Sequence, residues 1–144
     1  MGSPQDRKLG PSALALNSLL PSESQEQITV VRWFDLRHRD LKGRLIAVPN
    51  GAHLAGSEEQ RAAKMTRMKA EGLRPGFPDL FLPVPAHGFH GLAIEMKRQK
   101  GSSTSPEQIE WLEWLAGQGY MTALCKGAQA AMDTITGYLG EANG

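Results

Sequence analysis

Six residues, Leu92-Ala93-Ile94-Glu95-Met96-Lys97, alternate in a way that few folds can accommodate. Side chains along a strand point to opposite faces in turn. Leu92, Ile94 and Met96 therefore share one face, and Ala93, Glu95 and Lys97 the other. The preceding apolar run, 79–83, opens with Asp79 behind a proline, and a proline-rich, glycine-containing loop joins the two runs. Two carboxylates on neighbouring strands can hold a divalent cation through oxygen, and a lysine beside them can orient or activate a water. This is the outline of metal-dependent phosphodiester hydrolysis. The competing reading is a solvated edge strand whose Glu-Lys pair contributes less than about 1 kcal/mol. Glu-x-Lys alone would occur by chance in about one chain in two of this length, so the weight rests on its combination with Pro78-Asp79 and on the apolar residues around each carboxylate.

A chain of 144 residues is one domain's worth of sequence and long enough for a sizeable core. A net charge of +1 points to no acidic partner by itself, so any nucleic-acid contact must come from a local basic surface. The single cysteine, Cys125, excludes an internal disulfide framework and fits a reducing compartment. No apolar run approaches the roughly 18 residues of a membrane span. Met1-Gly2-Ser3 reads as a cloning remnant, and the run SALALNSLL is too interrupted for a signal peptide. We expect an arm over 1–21, a single domain over 22–140 and a short tail over 141–144.

Punctuation along the chain sets the elements. Ser22 and Ser24 each precede a glutamine by three residues, the capping-box spacing, so a helix is expected from there to about 38. Glu26, Val30 and Trp33 fall on one stripe of it, which puts a carboxylate on the apolar side. A first-turn acid favoured by the helix dipole is the alternative for Glu26. A short strand over 45–49 closes at Asn50-Gly51, and a helix over 58–72 ends at its glycine. Ser105-Pro106-Glu107-Gln108 starts a third helix with Ile109, Leu112 and Leu115 turned inward, Trp111 and Trp114 nearby, and an end at Gly117 or Gly119. A strand over 120–125 and a helix over 128–139 follow, the latter burying Ala131, Ile135, Tyr138 and Leu139. The crossover helix makes the last strand parallel to its predecessor. The expected architecture is an α/β layer with the two carboxylates on adjacent central strands.

The second helix carries Arg61, Lys64 and Arg67 at three-residue intervals, with Lys69 on the same helix and Arg74 just after it, and Arg98 follows Lys97. These form a basic flank suited to phosphates or, alternatively, an ordinary solvated face. A zinc site from His87 and His90 with Cys125 or His53 would need a second His/Cys pair that the spacing does not supply.

The segments PGFPDLFLP (75–83), GLAIEMK (91–97) and SPEQIEWLEWLAGQGY (105–120), with VPNG at 48–51, resemble the VRR-NUC (virus-type replication-repair nuclease) domain of the PD-(D/E)XK nuclease superfamily. The likeness spans roughly 23–140, in the form of the compact stand-alone members of phages and bacteria. It implies a restriction-endonuclease-like core, a mixed central sheet flanked by helices. It implies Asp79 and Glu95 as ligands of Mg²⁺ or Mn²⁺, joined by the backbone carbonyl of Met96, with Lys97 as the catalytic lysine. Glu26 matches the family's first-helix acid and is a further possible ligand, with Glu23 one turn earlier as the alternative register. Gln108 matches the glutamine that opens the helix after the lysine strand.

On this resemblance the expected activity is a deoxyribonuclease acting on branched DNA such as a Holliday junction, in replication, recombination or repair. Cleavage would leave a 5′-phosphate and a 3′-hydroxyl, with Lys97 as general base or as the group that positions water. Arg61, Lys64, Arg67, Arg74 and Arg98 are the expected DNA contacts. A homodimer in a bacterial cytoplasm, with no membrane association, is expected, the apolar arm (Leu14, Leu16, Leu19, Leu20) and the two tryptophans supplying interface material. The alternative from another class is a DNA-binding module that keeps the fold and has lost catalysis.

Overall fold

Among the described residues, three of the four long helices begin where a serine and a glutamine close the first turn on each other. The computed structural model describes residues 19–50 and 54–140. Helix α1, Glu23–Arg37, is capped by Ser22: its hydroxyl accepts the Gln25 N–H at 3.1 Å, and Gln25 Oε1 accepts the Ser22 N–H at 2.8 Å. Of the two candidate serines, Ser22 is the one used. Helix α2, Glu58–Ala70, repeats the device with Ser57 and Gln60. Helix α3, Pro106–Gly117, repeats it with Ser105 and Gln108, and Pro106 takes the first turn, where no N–H is required. Each such cap contributes about 1 kcal/mol. Helix α4, Ala128–Leu139, differs: its N-cap is Gly127, which has no side chain to offer.

The strands β1 (Ile46–Ala47), β2 (Leu80–Leu82), β3 (Leu92–Lys97) and β4 (Met121–Lys126) form one sheet in that order. β1 and β3 each run antiparallel to β2, and β4 lies parallel to β3 through the α3 crossover. All six residues of β3 are buried, so the solvated-edge reading of its Glu and Lys does not hold. On one face, Leu92, Ile94 and Met96 join Leu80 and Leu82 beneath Val30 and Phe34 of α1 and Ala131, Ile135 and Tyr138 of α4 in a single apolar core. On the other face lies α3, with the polar side of β3 beneath its first turn.

Two local expectations change. Strand 45–49 shrinks to two ladder residues because β1 is an edge and Pro49 carries no N–H, although the Val48 N–H still reaches the Asp79 carbonyl at 2.9 Å. Ile109, expected inward, is 45% exposed. Gln108 turns toward β3 and sets the inner stripe as Gln108, Leu112 and Leu115, which leaves Ile109 about 100° around the helix. The arm over 1–21, apart from its last residues, and the tail over 141–144 lie outside the described residues, as does His53.

Candidate active site

The site forms where the sheet forks. Leu80 faces Ile94 across the β2–β3 ladder, so the residues one step further, Asp79 and Glu95, face each other. The Asp79 main chain stays with β1, its carbonyl accepting the Val48 N–H. Toward β3 its side chain takes over, and Oδ2 accepts the Met96 N–H at 2.8 Å. Two carboxylates are thereby set side by side, Asp79 8% and Glu95 2% exposed.

Lys97 and Gln108 complete the arrangement. Gln108 Nε2 donates to Glu95 Oε1 at 2.8 Å, and Gln108 Oε1 accepts from Lys97 Nζ at 2.8 Å. Lys97 Nζ lies 3.7 Å from Glu95 Oε1. The same Gln108 oxygen also accepts the Ser105 N–H of the capping box at 2.9 Å. One glutamine thus closes a helix and braces both charged groups, because an amide oxygen has two lone pairs.

The electrostatics of the site call for a cation. Burial, then the Asp79 charge and a hydrogen bond to Asp79, push the Glu95 carboxyl up to about 8, against the pull of Lys97. Burial also raises Asp79, opposed by the Met96 N–H, Glu95 and Lys97. Both carboxyls are thus biased toward their protonated forms, Glu95 the more clearly, as expected for like charges buried together. Glu23, at the start of α1, is raised by burial and by Asp79 and lowered by Lys97, so it belongs to the same electrostatic cluster.

The structure brings Glu23 to these residues and gives Glu26 another position. Glu26 is buried, with Oε2 accepting the Ala128 N–H at 2.5 Å and Oε1 accepting from Gln99 Nε2 at 2.8 Å. It caps α4, where Gly127 cannot, and a carboxylate there also meets the positive end of the helix dipole. The Gly127 N–H in turn donates to the Lys97 carbonyl at 2.9 Å, so the cap holds the end of β3 from behind. One sequence signal for this pairing was available: a helix that opens after a glycine must borrow its cap.

The basic residues do not join the carboxylates. Arg61 is exposed on α2, a helix that buries none of its residues. Lys64 Nζ donates to the Ala55 carbonyl at 2.9 Å, and Arg67 pairs loosely with Glu71 at 3.9 Å. One Arg74 terminal nitrogen donates to the carbonyls of Lys69 and Leu73, tying off the end of α2. Arg98 is half-buried directly after Lys97. Lys97 is the cation acting on Asp79, Glu95 and Glu23 alike.

Among the described residues no three His, Cys, Asp or Glu side chains converge on a point that could hold a metal ion. His87, His90 and Cys125 therefore form no zinc site among the described residues, and the Cys125 thiol lies 3.6 Å from Thr134 Oγ1. The donor set does fit a small hard cation, which is bound through one or two carboxylates and otherwise takes water and substrate phosphate. Asp79 and Glu95 supply the carboxylates, and a cation between them would favour the charged forms that burial disfavours in both.

In the comparisons with known proteins, the VRR-NUC domain family matches residues 21–129. A solved structure described as a VRR_NUC domain protein is 29% identical, with a TM-score of 0.67, over 84% of this chain and 92% of its own. No protein of curated function matches.

The carboxylate pair has a consequence for stability. Without metal, the folded protein holds a proton that the unfolded chain releases above the ordinary carboxylate value of 4.5, so stability is lost as pH rises from there through about 8. We expect the metal-free melting temperature to fall by several degrees across that window and Mg²⁺ or Mn²⁺ to restore it at the upper end. In Glu95→Gln both effects should shrink. Differential scanning fluorimetry with and without EDTA checks this.

Proposed function

The chain belongs to the VRR-NUC family, whose members carry a PD-(D/E)XK-type nuclease domain, and from that premise we propose that it is a Mg²⁺- or Mn²⁺-dependent DNA endonuclease that incises branched DNA, four-way junctions included. The observation that carries the reading is the intact constellation of Asp79, Glu95, Lys97 and Gln108 in one hydrogen-bonded cluster. A module without catalysis would have no need to bury two facing carboxylates beside an ammonium, an arrangement that costs stability.

Asp79, Glu95 and the Met96 carbonyl are the groups that would hold the ion. When bound, such an ion supplies Lewis acidity toward water and the phosphoryl oxygens. Lys97 Nζ, fixed by Gln108 and Glu95, has further N–H bonds to present, and it orients the attacking water in line with the scissile phosphorus. Glu23, whose carboxyl is raised by burial, accepts the proton that the water sheds. The new P–O bond forms as the P–O3′ bond breaks, and the 3′ oxygen is protonated from solvent, leaving a 5′-phosphate and a 3′-hydroxyl. Arg98, Arg74 and the cations of α2 grip the flanking phosphates, each contact adding to the salt dependence of binding.

Residues 22–140 are proposed as the whole nuclease unit, acting as a two-fold dimer in the bacterial cytoplasm. What supports the dimer is apolar surface that the fold leaves outside its core: Trp114 is 56% exposed, and Leu19 and Leu36 are exposed before and on α1. A two-fold axis uses such a patch twice.

Asp79→Ala or Glu95→Ala should abolish Mg²⁺-dependent cleavage of labelled junctions while binding in EDTA survives. Near-normal cutting by either variant would sink the assignment. Glu23→Gln should lower turnover tenfold or more, about 1.4 kcal/mol of barrier, without lowering the melting temperature. Glu26→Gln should do the reverse. It removes the negative charge that caps the start of α4, costing about 0.3–1 kcal/mol of stability, while turnover changes less. Light scattering should give about twice the 15.7 kDa chain mass, and a monomer that still cuts junctions would defeat the dimer alone.

A further inference from the structure

Beside the carboxylates, a cleft of about 370 Å³ opens between the first two turns of α1 and the exit of β1. That is at the small end of ligand pockets, which span roughly 300–1,000 Å³. Glu23 and Asp79 stand at one end of it, Ile28 and Pro49 give it apolar walls, and Gln27 and Asn50 bring amides to it. Ile28 is 47% exposed, apolar area that the fold leaves uncovered. Gln27 is half-buried, and its amide has no hydrogen-bond partner among the described residues.

The composition of the walls restricts the occupant. Among the described residues no Lys, Arg or His lines the cleft, so its walls offer no cationic side chain to pair with a phosphate. A flat, neutral ring with donors and acceptors on its edge meets the lining better: it packs on Ile28 and Pro49 and pairs with amides, each of which offers both a donor and an acceptor. A base whose pairing edge meets these amides has given up its pairing partner.

We propose that this cleft is a subsite for one unpaired nucleobase, that of the nucleotide adjoining the scissile phosphate. The inference rests on the nuclease reading above and gives it a physical basis for choosing branched DNA. A base taken out of a duplex must be unpaired and unstacked, and the cost is least where it is already unpaired. Forks, flaps and frayed ends offer such a base next to an otherwise ordinary backbone, so the cleft selects the shape of the branch without selecting its sequence. Gln27 and Ile28 are specificity-determining in this scheme, and the carboxylates act on the neighbouring phosphate.

The test uses the full chain and a forked DNA carrying 2-aminopurine at each position flanking the incision, with Ca²⁺ in place of Mg²⁺ to allow binding without turnover. 2-Aminopurine is quenched by stacking and brightens when unstacked. One flanking position should brighten several-fold at saturation, judged by anisotropy on the same sample. Gln27→Leu, which removes the amide, and Ile28→Trp, which fills the cleft, should each remove at least half of that brightening while the DNA still binds. The proposal is overturned if no position brightens at full binding, or if both variants brighten as the wild type does. Cleavage of the same fork in Mg²⁺, run in parallel, separates the two readings. Cutting without brightening overturns the subsite and leaves the nuclease. Brightening without cutting supports the subsite and overturns the nuclease. Failure to bind the fork overturns both.

Discussion

Asp79 Oδ2 takes the N–H of Met96 at the point where a longer β2 would have offered a main-chain carbonyl. That substitution lets the sheet split without orphaning a buried donor, whose loss would cost about 1–3 kcal/mol. It also fixes the carboxylate against Glu95, one residue back on β3. The site is therefore built into the sheet itself. Leu80, Ile94 and Met96 hold the two strands from the core side, and the polar face can carry an unfavourable charge arrangement because the apolar face offsets it.

The first helix serves this centre at both ends of its opening turn. Glu23 faces the carboxylates and Lys97, while Glu26, three residues on, crosses to α4 and caps it. Val30 and Phe34 continue the same stripe into the core. Because the Gly127 N–H bonds the Lys97 carbonyl, the Glu26 cap and the end of β3 are mechanically joined. A change at Glu26 is transmitted to Lys97 through backbone, and a change at Glu23 acts through charge.

Much of this was legible in the sequence because the signals are local. Alternation placed Leu92–Lys97 as a strand with its polar side intact, and the serine-glutamine pairs placed the helix starts, Ser105 and Gln108 most sharply. The crossover rule gave the parallel pairing of β3 and β4. What escaped was set by contacts between distant residues. Glu23 and Glu26 share a stripe, and only the position of α4, about a hundred residues further on, assigns one to the site and the other to a cap. Ile109 fits an inward stripe until Gln108 is drawn to Glu95 and rotates it outward. The basic spacing of α2 was visible, but its separation from the core was not, because exposure of a whole helix face leaves no mark in periodicity.

The central claim is that Asp79 and Glu95 form one cation site that a proton fills when metal is absent. Calorimetric titration of Mn²⁺ near neutral pH, in two buffers of different ionisation enthalpy, measures that exchange directly, since metal binding to a protonated ligand must release the proton. With Glu95 pushed up to about 8, binding should release close to one proton per site at pH 7, and Glu95→Gln should bind far more weakly and release none. Tight binding without proton release, or equal affinity in Glu95→Gln, would contradict the account.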